Sequence, residues 1–176
     1  MPMNLVRWKR FTWELSQLPP LENPLPEPYV VRPAGRDESK QVAHVVFTSL
    51  TLDASWCDAL QLFRDRLASQ IDHAFLREPS PSLVVVHGSR IIAASVITTD
   101  PGAISQLISG PCVLGEYGNR GIGTALLHQT LEHLRSLGLE RASAVTKDNV
   151  PACKFVYPKF ASTHLFYDFT SQLSTN

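Results

Sequence analysis

The stretch Val113-Leu114-Gly115-Glu116-Tyr117-Gly118-Asn119-Arg120-Gly121-Ile122-Gly123-Thr124 leads from an apolar run into a helical pattern through a glycine-rich turn. Glycines let successive backbone N–H groups converge, and a helix start adds the positive end of its dipole, so the turn has the chemistry of a phosphate site. A Walker loop does not fit, because no Gly-Lys-Ser/Thr follows the glycines. The dinucleotide fingerprint fails as well. Counting from Gly121 and Gly123 puts Leu126 where its third small residue belongs, and a meander rather than a parallel βαβ unit precedes the turn.

A third phosphate-binding design fits. The turn resembles the acyl-CoA-binding signature of the GNAT superfamily of N-acyltransferases, Gln/Arg-x-x-Gly-x-Gly/Ala, with Gly121 and Gly123 as its two small residues. Downstream, Asn149, Ala152, Phe155 and Tyr157 are similar to the family's Asn-x-x-Ala-x-x-Phe-Tyr helix. The resemblance runs from about Tyr29 to Phe169 and implies acetyl-CoA as co-substrate, with no metal. It implies direct transfer of the acyl group to a primary amine, without a covalent enzyme intermediate. The implied cofactor-binding residues are Val113 and Leu114 at a splayed strand end, Gly118, Asn119, Arg120, Gly121, Ile122, Gly123 and Thr124 around the phosphates, and Asn149 and Ala152 along the pantetheine arm. Tyr157 is the implied catalytic acid, since a phenol with a pKa of ~10 keeps its proton at neutral pH. Two departures stand out: Gly118 occupies the usual Gln/Arg position, and Val156 follows Phe155 where the family has its tyrosine.

For the base that would take the amine's proton, the resemblance points to an acid on the fourth strand, but Ala103 to Val113 contains neither Asp nor Glu. Glu116, Asp53 and His164 are the remaining candidates, beside a path through water and backbone carbonyls. His128 and His133 are five residues apart, not the four that place two zinc ligands on one helix face, and are expected to be solvated. Cys112 and Cys153 have no patterned histidine partner and are expected to be small buried thiols.

The elements that must hold these residues are legible from periodicity. Tyr29 to Pro33 is a short strand, Asp37 to Leu50 a helix, and Trp56 to Phe75 a second helix capped by Asp53 or Ser55. Leu83 to His87 and Arg90 to Ile97 flank Gly88-Ser89 as a tight hairpin, and Ala103 to Leu114 is a strand that must bend at Gly110-Pro111. Ile122, Leu126, Leu127, Leu131, Leu134 and Leu137 form the buried side of a helix stopped by Gly138. Arg141 to Val145 is a strand, Asn149-Val150-Pro151 a cap-then-proline helix start, and Phe160 to Phe169 a last strand or hairpin. The expected order is β-α-α-β-β-β-α-β-α-β: a mixed α+β fold whose mostly antiparallel central sheet is flanked by helices.

Residues 1–28 are expected to be an arm, proline-rich over 19–28, with 29–170 the acyltransferase domain and 171–176 a tail. The aromatic and basic residues from Leu5 to Leu15 suit packing on the protein's own domain or a second subunit better than a nucleic-acid tail. A homodimer is therefore allowed. Composition narrows the rest: 176 residues, 44% apolar and 18% charged, with 16 basic against 16 acidic side chains, describe one ordinary globular domain. No net charge argues against nucleic acid as a partner, and apolar runs of four residues are too short for a membrane span. Three widely spaced cysteines and no secretory leader point to the cytoplasm. The acceptor is expected to be a small-molecule amine or a peptide amine. The alternatives are a non-catalytic acyl-CoA-binding sensor or assembly module and, more remotely, a nucleotide-dependent oxidoreductase.

Overall fold

The computed structural model describes residues 7–168. Met1 to Val6 of the expected arm, and the 171–176 tail, lie outside the described residues. Seven strands and four helices alternate as β1 (Trp8–Glu14), β2 (Tyr29–Pro33), α1 (Ser39–Leu52), α2 (Leu60–Ala74), β3 (Leu83–His87), β4 (Arg90–Ile97), β5 (Leu107–Val113), α3 (Ile122–Ser136), β6 (Arg141–Lys147), α4 (Pro151–Phe155) and β7 (Thr163–Tyr167). All ladders are antiparallel, in a four-stranded sheet of order β2-β3-β4-β5 and a three-stranded sheet of order β6-β1-β7.

The four-stranded sheet is covered on both faces, which its alternation requires. Val84 and Val86 of β3 join the core beneath α1 and α2, whereas Leu83 and Val85 face Ile122 and Leu126 of α3. Gly88, at φ +62, makes the two-residue β3–β4 turn possible. Gly138, at φ +95, ends α3. At Gly110-Pro111 the β4–β5 register shifts, and Gly110 sits at φ +63. Proline is tolerated there because β5 has no ladder on its other side.

One strand was not in the expected order. Trp8–Glu14, read from sequence as part of an arm, is the central strand of the second sheet, pairing Trp8↔Lys147 to Glu14↔Arg141 on one side and Trp8↔Tyr167 to Thr12↔Thr163 on the other. Its Phe11 and Trp13 are at most 1% exposed, packed on α3, β6 and Tyr157. The prolines follow it. The Pro19 carbonyl meets Nε2 of His128 at 2.8 Å, so the chain after β1 is tied to α3.

Four smaller expectations are corrected. His128 is buried against Phe160 and the Pro19 carbonyl, not solvated, and His133 is partly buried. Leu137 is 47% exposed, because the helix ends beside it and Gly138 turns the chain away. The second helix starts at Leu60; Asp53 instead caps a short 3₁₀ turn, Ala54–Trp56, by accepting from the Ser55 N–H at 3.0 Å. Val150, not Asn149, holds the cap position of α4, and Asn149 is exposed.

Candidate active site

β5 and β6 touch only near their starts. The Gln106 N–H donates to the Ser143 carbonyl at 3.0 Å, and the Gln106 side-chain oxygen accepts from the Ser143 N–H at 2.8 Å. Beyond this clasp no ladder joins the strands, and a cavity of about 1110 Å³ opens, lined by Val113, Thr146, Ala152 and Tyr157 among others. The same cavity continues past the 53–56 loop and along α2.

The backbone edge of β5 in this gap follows from strand alternation. The Leu114 N–H bonds the Ile92 carbonyl at 2.9 Å and is committed to the sheet. Alternation turns the Val113 N–H to the opposite, open edge, and Pro111 on that edge has no N–H to leave unpaired. Of the two residues expected at the splay, Val113 alone presents a donor to the gap.

Next along the chain comes the glycine turn. A 3₁₀ turn over Gly115–Tyr117 ends at Gly118, and Asn119 and Gly121 both adopt positive φ, 58° and 76°. These reversals bring the chain to the α3 N-terminus, where Gly121 is the cap and no side chain bonds the first N–H groups. The first intrahelical bond runs from the Ala125 N–H to the Gly121 carbonyl, leaving the earlier amides of Ile122, Gly123 and Thr124 without helical partners. A Cβ at Gly121 would meet nothing within 4 Å, and one at Gly123 only Val113 Cγ2 at 3.7 Å. The cradle is therefore open and lined by backbone, as a phosphate requires. Arg120 does not lean over it freely: its guanidinium bonds the Tyr29 hydroxyl at 2.7 Å and the Glu116 carbonyl at 3.2 Å.

Tyr157 follows the short α4, its N–H turned back to the Ala152 carbonyl at 2.8 Å. Tyr157 is 5% exposed, its ring tilted against Phe11 and edge-on to Trp13 with centroids at 5.5 and 5.9 Å. The hydroxyl lies over Gly110 so closely that a Cβ there would be 1.9 Å from it. That explains the glycine. Burial pushes the phenol well above its ordinary value, helped by the neighbouring Cys112 and Cys153, so Tyr157 holds its proton throughout the useful pH range. Burial likewise pushes the Cys112 thiol up, which disfavours the thiolate that a nucleophile needs.

The three candidate bases are separated in space. Glu116 is exposed, pairs with Arg90 at 2.7 Å and lines a different recess beside α1. His164 stands on the outer strand β7 with its ring tilted against Phe11, centroids 5.4 Å apart, away from the cavity lining. Asp53 lines the cavity itself. Sequence reasoning missed four further residues here. Trp8, Trp56 and Phe63 form an aromatic cluster on the cavity wall, with centroids 5.7 to 6.4 Å apart. Lys147, at the end of β6, is completely buried; its ammonium donates to the Ser55 carbonyl and the Asp58 carboxylate and lies 5.7 Å from the Trp56 ring. The only signal for Trp8 was its place in an aromatic stretch, and nothing marked Lys147.

Two antiparallel sheets diverge between β5 and β6, and the backbone-lined glycine turn follows the end of β5. The model of the Acetyltransferase (GNAT) family matches residues 43–159, and the chain belongs to that family. No curated protein matches the chain. Solved structures similar to it include a GCN5-related N-acetyltransferase from Sphaerobacter thermophilus (TM-score 0.57, 16% identity, covering 92% of this chain and 49% of that one). A GNAT-family acetyltransferase from Colwellia psychrerythraea is similar too (TM-score 0.57, 17% identity, 92% and 54%). So is a Drosophila protein (TM-score 0.62, 11% identity, 92% and 49%). The chain thus spans about half the length of these proteins. At such identities the likeness establishes the fold, and it agrees with the mixed, antiparallel architecture expected from the sequence. Among the described residues no helix is long and apolar enough to cross a membrane, and no cluster of three or more metal-ligating side chains occurs.

Proposed function

We propose that this protein is an acetyl-CoA-dependent N-acetyltransferase that acetylates a primary amine by direct attack. The observation that carries the reading is the protonated, buried Tyr157 hydroxyl held over Gly110 on β5, in the cavity at the divergence of β5 and β6. The fit for the donor is good: backbone amides of Ile122, Gly123 and Thr124, with the αL turns of Asn119 and Gly121, hold the pyrophosphate, and the missing side chain at Gly118 leaves that work to the main chain. Leu114 supports the turn through its sheet bond, while Asn149 and Ala152 flank the pantetheine arm. Bound acetyl-CoA supplies an activated thioester.

In this reading the Val113 N–H polarises the acyl carbonyl. The amine nitrogen bonds to the acyl carbon, the C–S bond breaks, and the sulfur takes the Tyr157 proton. The proton shed by the nitrogen returns to Tyr157 through solvent water in the cavity. Each bond made is balanced by one broken, and no enzyme-bound acyl group forms.

Two measurements test this. Calorimetric titration is expected to show micromolar acetyl-CoA binding and none for NAD; absence of acetyl-CoA binding refutes the reading. Tyr157→Phe is expected to lower kcat about 10²- to 10⁴-fold with acetyl-CoA affinity unchanged. Unchanged turnover would remove Tyr157 as the acid, and tight binding without turnover on any amine would favour the sensor reading.

A further inference from the structure

One wall of the cavity has a chemistry of its own. Trp8 comes from β1, Trp56 from the 3₁₀ turn after α1, and Phe63 from α2, yet all three rings meet at one surface, tilted or edge-on to each other. Unlike Phe11 and Trp13, which are sealed in the core, these three are only partly buried and line the cavity. Large aromatic surface left at a cavity wall is what a ligand's apolar body covers on binding.

Two hydroxyls near this wall are already engaged. The Ser49 hydroxyl donates to the Val46 carbonyl at 2.9 Å, and the Ser109 hydroxyl to the Gly110 carbonyl at 2.9 Å while accepting from the Val96 N–H. Asp53, beside the rings, keeps one oxygen open: one carboxylate oxygen accepts from Ser55, and the other makes no hydrogen bond or ion pair among the described residues, while Asp100, Arg66 and Gln70 line the same cavity. The loop bearing Asp53 and Trp56 is fastened from behind by the sealed Lys147 ammonium, so carboxylate and ring are preorganised.

We infer that the acceptor is a primary amine carried on an aromatic ring or similarly flat apolar body, the body resting on Trp8, Trp56 and Phe63 and the amine docking as its ammonium on Asp53, then giving its extra proton to solvent water in the cavity and attacking as the neutral nitrogen. This rests on the acetyltransferase reading and deepens it by naming the acceptor class. Ring contact with the aromatic wall and the Asp53 carboxylate act together on such a ligand, whereas a polyamine or amino sugar brings no flat apolar body to the rings.

The test uses the full chain. Thiol release from acetyl-CoA is measured with 2-phenylethylamine and tryptamine against spermidine and glucosamine, and binding of 2-phenylethylamine is followed separately by calorimetry. The aromatic amines are expected to show kcat/KM about 10- to 100-fold higher, the range set by burying one aromatic side chain's worth of apolar surface. Phe63→Leu and Asp53→Asn are each expected to raise KM for 2-phenylethylamine about tenfold or more, with KM for acetyl-CoA unchanged. Phe63→Leu keeps an apolar side chain, and a thermal melt matching wild type keeps it interpretable. Equal or better rates with spermidine or glucosamine, or an unmoved amine KM in Phe63→Leu, would overturn the inference. Failure of acetyl-CoA to bind overturns the donor reading instead, and binding of acetyl-CoA without binding of 2-phenylethylamine overturns this inference alone.

Discussion

Replacing Gly110 by alanine puts the close approach of β5 and Tyr157 to a quantitative test. Two separate penalties act. At φ +63 an L-residue pays the left-handed cost of about 1–2 kcal/mol. The new Cβ would also stand 1.9 Å from the Tyr157 hydroxyl oxygen, so the ring must shift by over an ångström within a sealed aromatic cluster, an overpacking cost of about 1–3 kcal/mol. Gly110→Ala is therefore expected to destabilise by about 2–5 kcal/mol. Tyr157→Phe removes the obstructing atom, and the nearest remaining ring carbon lies at 3.2 Å, where a shift of a few tenths of an ångström suffices. In that background the substitution should cost only the backbone strain. The double-mutant cycle accordingly predicts a coupling of about 1–3 kcal/mol. Urea titrations followed by tryptophan fluorescence measure it, since Trp13 is fully buried and 5.9 Å from the Tyr157 ring. An identical cost of Gly110→Ala in both backgrounds would falsify the geometry on which the catalytic assignment depends. Turnover gives an independent check: once Tyr157 is phenylalanine, Gly110→Ala should lower kcat little further.

At the cradle, Gly123→Ala is expected to be neutral or slightly stabilising, about 0.5–1 kcal/mol, because the added methyl makes ordinary contact with Val113 in a helical position; thermal melts decide, and a loss above ~1 kcal/mol contradicts it. Behind the aromatic wall, Asp58→Asn deprives the sealed Lys147 ammonium of its counter-charge while keeping an acceptor oxygen, and should cost about 1–2 kcal/mol, reduced by the carboxylate's own exposure. Lys147→Met removes the charge rather than stranding it and should cost less, so the reverse order in urea midpoints would refute the buried-ammonium argument. The Glu38 carboxylate, bonded by Arg32 at 2.6 and 2.8 Å and by the Gly35 N–H at 2.7 Å, lies below its ordinary 4.5, chiefly through the Arg32 hydrogen bond. A depressed carboxylate contributes stability that is present above its unfolded value and lost as pH falls through the folded one. Glu38→Gln should thus be less stable than wild type by about 1 kcal/mol at pH 7, with the difference closing as pH falls through the carboxylate's depressed value. A difference independent of pH would place the effect elsewhere.

What could be read in advance, and what could not, follows the range of the interactions. The β3–β4 hairpin, the bend at Gly110-Pro111, the end of α3 at Gly138 and the glycine turn are all specified by neighbours in sequence. Trp8–Glu14 carries a strand's alternation too, with Phe11 and Trp13 inward, but Lys9, Arg10 and Glu14 dilute it. Its partners, β6 and β7, lie more than 120 residues away. A central strand is recognised by the two edges it joins, and no local pattern announces them. His128 failed for the same reason: only the returning chain at Pro19 makes its position an interior one.

The same distinction divides the site. The anion cradle proposed at the α3 N-terminus would use consecutive backbone amides, so its requirement is written in closely spaced glycines and reads as a motif. The proposed acceptor wall draws on side chains instead, Trp8 from β1, Asp53 and Trp56 from the 53–58 loop and Phe63 from α2, brought together only when Lys147 fastens the loop and β1 enters the second sheet. Such a wall is free to change one segment at a time while the cradle stays as it is. That is why the donor half of a protein of this kind is legible in its sequence, and why the acceptor half has to be found in the folded structure.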